Sequence, residues 1–314
     1  MKHIIQNLIS TARRALGVAL ALWAAAQVNA AETGKSFATP EAAVAALASA
    51  VQTTNHTELR AIFGPAVADL VNPDVVQAAN EFSAFATALG ETNRLVRESQ
   101  TRRVLELGND HWPFPVPIVQ KDRGWIFDTL AGREEVLNRR IGGNELETLK
   151  VVRAYVQAQR EYASRDRDGD EVLEYAQNFL STPGHQDGLY WSPEPEGEIS
   201  PLGPLAAAAQ GEGYRKSTGE KSGPKPFHGY CFKILTRQGK HAPGGKYDYI
   251  INGNMIGGFA LVAWPAEYGE TGVMTFVVSQ QGRVYQKDLG PQTAKTAGAM
   301  KTYDPDKTWT VSPD

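Results

Sequence analysis

Alternating carboxylates between residues 166 and 174 are the sharpest chemical signal in this sequence. Asp166, Asp168 and Asp170 occupy every second position around Gly169, and Glu174 follows four residues after the last of them. Alternate aspartates in a glycine-containing loop are how calcium sites gather hard oxygen ligands. The spacing therefore predicts that Asp166, Asp168, Asp170 and Glu174 bind calcium, the one cofactor that the sequence suggests.

This acidic loop departs from the EF-hand calcium motif at two positions. Its sixth residue is Glu171, where the motif has glycine, and its twelfth is Gln177, where the motif has glutamate. The alternative interpretation is a loop that caps the preceding helix, with Arg165 and Arg167 as local counter-charges. The sequence leaves both interpretations open.

The sequence contains no intact catalytic motif. Ser222 and Lys225 have the Ser-x-x-Lys spacing of some acyl-enzymes, but the glycine and proline between them predict a loop instead of the required helix N-terminus. Catalytic residues are therefore unknown. A hydrolase would have to draw its acids from separated loops, for instance Asp128, Asp187 or Asp248.

The first thirty residues have the three parts of a secretory signal peptide. Lys2, Arg13 and Arg14 precede an apolar run over 15–26, and a small-residue pattern ends at Ala30. The run is about half the roughly 20 residues that span a bilayer. We therefore expect cleavage after Ala30, no transmembrane anchor afterwards, and a periplasmic or secreted mature protein.

Charge and composition exclude some classes of partner. The chain carries a formal charge of −3, and removal of the three cations of residues 1–30 would leave −3 − 3 = −6. Because nucleic-acid binding proteins need a clustered basic footprint, a mildly acidic chain with scattered cations predicts no nucleic-acid partner. At 42% hydrophobic residues the composition is globular. The expected partner is another envelope protein or an envelope polymer.

Hydrophobic periodicity predicts an α+β fold in two modules. Residues 31–140 form a helical N-terminal part with a small antiparallel sheet, and residues 141–314 a long helix packed on a five-stranded antiparallel meander, with a flexible loop at 192–226. The predicted helices are 40–52, 59–70 with a break at Gly64-Pro65, 73–89, 145–165 and a short piece at 172–180. The predicted strands are 95–107, 116–120, 125–130, 228–235, 246–251, 257–264, 273–279 and 283–287. Turn signals stand at Gly142-Gly143, between the modules, and at the hairpin dipeptide Asn252-Gly253.

Four segments resemble an exported bacterial family, domain of unknown function 2950. They are 109–115, 137–142, 200–205 and the long stretch 247–269, so the resemblance extends over nearly the whole mature chain. It implies export and one two-part architecture, with no established activity and no catalytic residues. The second module is also similar in outline to pilin-like globular domains.

These observations favour a non-catalytic binding or assembly factor of the bacterial envelope. The alternatives are a hydrolase acting on an envelope polymer and a pilin-like structural subunit. A concave pocket lined by two carboxylates favours the enzyme, whereas an exposed apolar patch favours the binding factor.

Overall fold

The computed structural model describes residues 34–193, 197–214 and 225–313. The predicted signal peptide, 1–30, lies outside the described residues. About 37% of the described residues are helical and 23% are in strands, most of them antiparallel, which confirms the α+β class. The chain divides into two compact units, of which one contains residues up to Val71 with Glu81–Leu137 and the other Asn72–Asn80 with the residues from Asn138 onward.

Local signals at the start of the first unit produce helices where the sequence predicts them. Helix α1 (Pro40–Gln52) begins after Thr39, whose hydroxyl accepts the Ala42 N–H at 3.1 Å. A capping hydroxyl satisfies a backbone donor that has no partner within the helix. Helix α2 (His56–Phe63) and the 3₁₀ turn after it meet at Gly64, which has a left-handed φ of 75°. The helical elements that follow α1 are α2 (His56–Phe63), the 3₁₀ turn (Pro65–Leu70) and α3 (Val75–Glu91).

The first sheet is antiparallel and has the order β1-β2-β4-β5, with β3 paired to β2. Its strands are β1 (Asn93–Arg97), β2 (Arg102–Leu107), β3 (Trp112–Pro113), β4 (Ile118–Lys121) and β5 (Gly124–Phe127). The single strand predicted at 95–107 is wrong, because the chain turns back at 98–101, where the Ser99 hydroxyl accepts the Thr101 N–H at 3.2 Å. The helices cover one face of this sheet, with Leu47, Ile62 and Phe127 in the core.

A 34-residue helix, α4 (Thr129–Tyr162), follows the first sheet. The predicted break at Gly142-Gly143 is therefore wrong, as is the helix start at 145. Two helical glycines cost about 1 kcal/mol each. Outside the adjacent residues and the helix's own backbone, no atom lies within 4 Å of where their side chains would begin, so nothing packs against the helix at this position. Asn144, the next residue, is buried, and its amide donates to the Thr271 carbonyl at 2.9 Å, which anchors the helix just after the glycines.

The second unit contains the predicted five-stranded antiparallel sheet, with one strand different. Its order is β6-β11-β12-β13-β15. The segment predicted as a strand at 246–251 is not in this sheet. It forms two short pairs instead, one of them with a two-residue turn at Asn252-Gly253, where both φ angles are positive (52° and 99°) as type I′ hairpins require. The strands are β6 (Tyr230–Leu235), β7 (Arg237–Gln238), β8 (Tyr247–Asp248), β9 (Ile250–Ile251), β10 (Asn254–Met255), β11 (Ala260–Pro265), β12 (Met274–Ser279), β13 (Tyr285–Asp288), β14 (Thr302–Tyr303) and β15 (Thr310–Val311).

The core of the second unit lies between helix α4 and this sheet. All six residues of β11 are buried. The Tyr155 hydroxyl donates to the Ala260 carbonyl at 3.2 Å, and its ring meets Phe259 edge-on at 5.7 Å between centroids. A long helix packed on a five-stranded sheet is thus confirmed. Two further helices belong to this unit, α5 (Gly203–Glu212) and α6 (Thr293–Ala299).

Candidate functional site

The structure brings Asp166, Asp168 and Asp170 together. One carboxylate oxygen of each lies within 4.8 Å of the others, and all three side chains are exposed. Asp166 organises the loop because it accepts the N–H groups of Gly169 at 2.8 Å and Glu171 at 2.9 Å. These hydrogen bonds hold the pKa of Asp166 below its ordinary value. Desolvation and the negative charge of Asp170 raise the pKa of Asp168.

The backbone at the sixth position of the loop has the conformation that calcium motifs obtain from glycine. Glu171 has a φ of 67°, in the left-handed region. This conformation is sterically unfavourable for a residue other than glycine, and the hydrogen bond from the Glu171 N–H to Asp166 stabilises it. The loop therefore differs from the EF-hand at this position in residue type, whereas the left-handed φ is the one that glycine adopts readily.

Glu174 lies outside the three-aspartate set. Its Oε2 accepts the Met255 N–H at 2.9 Å, and burial raises its pKa. The neighbouring side chains also contact the β9–β10 hairpin: Asp170 accepts from the Asn254 amide at 2.6 Å, and the Gln177 amide donates to the Gly253 carbonyl at 2.6 Å. The helix predicted at 172–180 is wrong, because this stretch has no helical turn and packs on the hairpin, where the Tyr175 N–H donates to the Met255 carbonyl at 2.9 Å.

The two arginines beside the aspartates do not act as their counter-charges. Arg167 donates to both carboxylate oxygens of Glu198, at 3.0 and 3.1 Å, and Arg165 lies 3.5 Å from the same carboxylate. The Arg167 guanidinium is buried against the rings of Tyr162 and Trp191, at 5.2 and 5.1 Å. The hydrogen bonds from Arg167 lower the pKa of Glu198. The negative charge of the loop is therefore left to solvent or to a bound cation.

The three acids considered for a hydrolase each have a structural partner. Asp128 accepts the Ala131 N–H at 3.1 Å and caps helix α4. Asp187 accepts from the Thr182 N–H and hydroxyl, both at 2.7 Å, and these bonds lower its pKa. Asp248 lies 3.6 Å from Arg237. Asp128 also borders a cavity of about 310 Å³ in the first unit, where it is the one carboxylate among the described lining residues.

An apolar groove in the second unit was not predicted from the sequence. It has a volume of about 220 Å³ and is formed by helix α5 and the segments on either side of it. None of the residues of α5 is buried, although most are apolar, and Leu180 at the groove is 59% exposed. The lining residues are Phe179, Leu180, Tyr190, Leu202, Leu205, Ala206, Ala209, Gln210, Tyr214 and Phe227.

Helix α5 corrects the prediction of a loop over 192–226. Within that range the structure describes 192–193, 197–214 and 225–226, and the rest lies outside the described residues. Tyr214 fixes one wall of the groove: its hydroxyl donates to Asp74 at 2.6 Å and accepts the His228 N–H at 3.3 Å. The run Leu205 to Ala209 could have signalled a helix, but the surrounding proline, glycine and charged residues concealed it.

Residues 34–311 match a family model described as a protein of unknown function, DUF2950. The chain belongs to this family. The match confirms the resemblance that the four sequence segments predict. No curated protein and no solved structure is significantly similar to this DUF2950 chain, so the pilin-like outline stays a prediction. None of the described helices has the length and apolar character needed to cross a membrane.

Proposed function

We propose that this DUF2950 protein is an exported, non-catalytic envelope factor that binds an apolar segment of another envelope protein in the groove beside helix α5. The observation that carries the proposal is an apolar helix with no buried residue bordering an apolar groove. A partner that covers such exposed apolar surface gains roughly 25 cal/mol of binding free energy per Å² of apolar surface buried.

The arrangement of acids favours a binding factor over a hydrolase. Acid–base cleavage needs two carboxyl groups facing one cleft, one of them kept protonated. The described residues that line the groove include no carboxylate, and those lining the cavity of the first unit include Asp128 alone. Cys231 is buried, and burial raises the pKa of its thiol, which opposes a nucleophilic role.

Photocrosslinking in intact cells tests the proposed groove. A photoreactive amino acid at position 205, which lines the groove, should form a covalent adduct with an envelope protein. The same amino acid at position 251, an apolar residue 46% exposed on the β9–β10 hairpin, should not form that adduct. Equal adducts from both positions would contradict the proposal.

We also propose that the acidic loop binds calcium. Three observations support this second function: three carboxylates converge within 4.8 Å, the neighbouring arginines pair with Glu198, and Glu171 has a left-handed φ at the position where the calcium motif has glycine. Asp166, Asp168 and Asp170 would supply the carboxylate ligands. Glu174, whose Oε2 accepts the Met255 N–H, is not one of the three converging carboxylates.

Millimolar calcium should raise the melting temperature of the protein by about 3 to 5 °C relative to chelator. Calcium sites of extracellular modules have dissociation constants of about 10⁻⁴ to 10⁻³ M. At roughly tenfold over the dissociation constant the gain is about 1.4 kcal/mol, which for a chain of this size corresponds to those few degrees. Asp168 is the best residue to change, because Asp166 and Asp170 also hold the loop backbone.

Melting Asp168→Asn in both buffers provides the test. This variant should show no calcium shift, and in chelator it should melt no lower than the wild-type protein because it removes a negative charge beside Asp170. The variant Glu161→Gln, which removes a charge from the exposed surface of helix α4, should keep the full shift. If calcium does not change the melting temperature of the wild-type protein, or if it shifts that of Asp168→Asn equally, the acidic loop serves only to cap the helix.

Export is the remaining part of the proposal, and the basic, apolar and small-residue succession ending at Ala30 supports it. N-terminal sequencing of the protein recovered from the periplasm or the medium should begin at Ala31. Recovery of the intact chain, starting at Met1, from the soluble cytoplasmic fraction would contradict export.

A further inference from the structure

One end of the sheet in the first unit concentrates positive charge in an otherwise acidic chain. The β1–β2 turn (98–101) and the β4–β5 turn (122–123) lie at the same end, because the Gln120 N–H bonds to the Thr101 carbonyl at 2.8 Å. The two turns contain the acids Glu98 and Asp122. The cations at this end are Arg97, Arg102, Arg103, Lys121 and Arg123.

Two of these arginines lie directly opposite one another. The strand register pairs Arg97 with Arg103, and like charges in directly opposed positions are unfavourable. Their guanidinium groups converge on one acceptor, the Ser99 carbonyl, at 3.4 Å from Arg97 Nε and 2.6 Å from Arg103 Nη1. Among the described residues neither forms an ion pair with a carboxylate, whereas the adjacent Arg102 pairs with Glu98 at 2.6 Å.

The two guanidinium groups have N–H donors that a bound anion could accept. Arg103 is held in place by the Trp125 ring, 4.9 Å from its guanidinium carbon. An ordered guanidinium offers a fork of N–H donors that matches a carboxylate, and the Arg97 guanidinium beside it adds a second positive charge. An anion between Arg97 and Arg103 would replace like-charge repulsion with two favourable pairs.

We propose that this surface, the arginine pair with the turn 98–101, binds the carboxylate groups of an acidic polysaccharide. The exposed Ser99, Gln100 and Thr101 side chains would form hydrogen bonds with the sugar hydroxyls. A bilayer fits less well, because the turn has no apolar side chain to insert. A nucleic acid also fits less well, since the chain is acidic as a whole and the turn exposes no aromatic ring for base stacking. The proposal does not rest on the groove in the second unit.

Binding of polygalacturonate, a polymer of uronic acids, tests the proposal in chelator-containing buffer of low ionic strength. By isothermal titration calorimetry we expect binding by the wild-type protein that weakens about tenfold between about 20 and 200 mM salt, because the charges are exposed. Arg97→Gln/Arg103→Gln should lower the affinity by about tenfold or more. Lys240→Gln/Lys295→Gln removes the same charge from exposed positions of the second unit and should stay within about twofold of the wild type.

A folding control and the contrary outcomes complete the test. Arg97→Gln alone should melt no lower than the wild-type protein, because it relieves the opposed charges, and should still weaken binding. Equal losses in the two double variants would overturn the proposal in favour of general charge attraction. Retention of the wild-type protein by duplex DNA or by phosphatidylglycerol vesicles, without binding to polygalacturonate, would overturn it in favour of another partner class. Neither result bears on the proposed groove in the second unit, which the photocrosslinking experiment tests separately.

Discussion

Replacing Phe259 with alanine is expected to lower the free energy of unfolding by about 3 to 5 kcal/mol. Phe259 is 0% exposed and precedes the fully buried strand β11. Its ring contacts Tyr155 of helix α4 at 5.7 Å and Tyr175, next to the acidic loop, at 4.8 Å. Truncation to alanine leaves a cavity between the helix, the sheet and this loop segment, which cannot collapse without moving all three.

Chemical denaturation measures this loss, and the matched control is Ile256→Ala. Ile256 is three residues away but 44% exposed, so its truncation should cost less than about 1 kcal/mol. The thermal midpoint of Phe259→Ala should fall by roughly 10 °C for a chain of this size. A loss for Phe259→Ala no larger than that for Ile256→Ala would mean that the ring is not at the centre of this core.

Replacing Leu205 with aspartate should reduce partner binding at the groove by about tenfold or more, which corresponds to at least about 1.4 kcal/mol. The partner's apolar segment would have to desolvate a carboxylate that has no ion partner among the described residues lining the groove. Stability should change little, because helix α5 has no buried residue and Leu205 is only partly covered.

Ala207→Asp is the matched control for Leu205→Asp. Ala207 lies on the same helix, is exposed and does not line the groove, so the variant adds the same charge and a similar loss of helix propensity. The amount of partner recovered with each purified variant from an envelope extract, relative to the wild-type protein, is the measurement. Equal losses for the two variants would show that charge on the helix, and not contact in the groove, weakens recovery.

Elements fixed by short-range chemistry could be predicted from the sequence. Helix α1 has its bounds at Pro40 and Gln52 because Thr39 caps it and a proline stands at the first helical position. The Asn252-Gly253 turn forms because both residues tolerate positive φ. The convergence of Asp166, Asp168 and Asp170 was likewise predictable, since a side chain at every second position needs only a turning backbone.

Features that depend on distant residues could not be predicted in this way. Helix α4 continues through two glycines because buried residues on either side of them, Arg140 and Asn144, pack in the interior. The position of β15 at the sheet edge depends on its pairing with β13, 24 or more residues earlier. The partner of Arg167 is Glu198, 31 residues away, and Glu174 turns from the aspartates to the Met255 backbone. The groove needs α5, a helix inside a stretch whose composition indicates a loop.

A photocrosslinking scan along helix α5 in intact cells tests the central claim, the binding groove, most directly. The account predicts that a photoreactive residue at positions 205, 206 or 209, which line the groove, traps one envelope protein. Positions 207 and 208, exposed on the same helix and outside the groove, should trap little or none of it. Adducts spread evenly over all five positions, or absent from the three groove positions, would contradict the account.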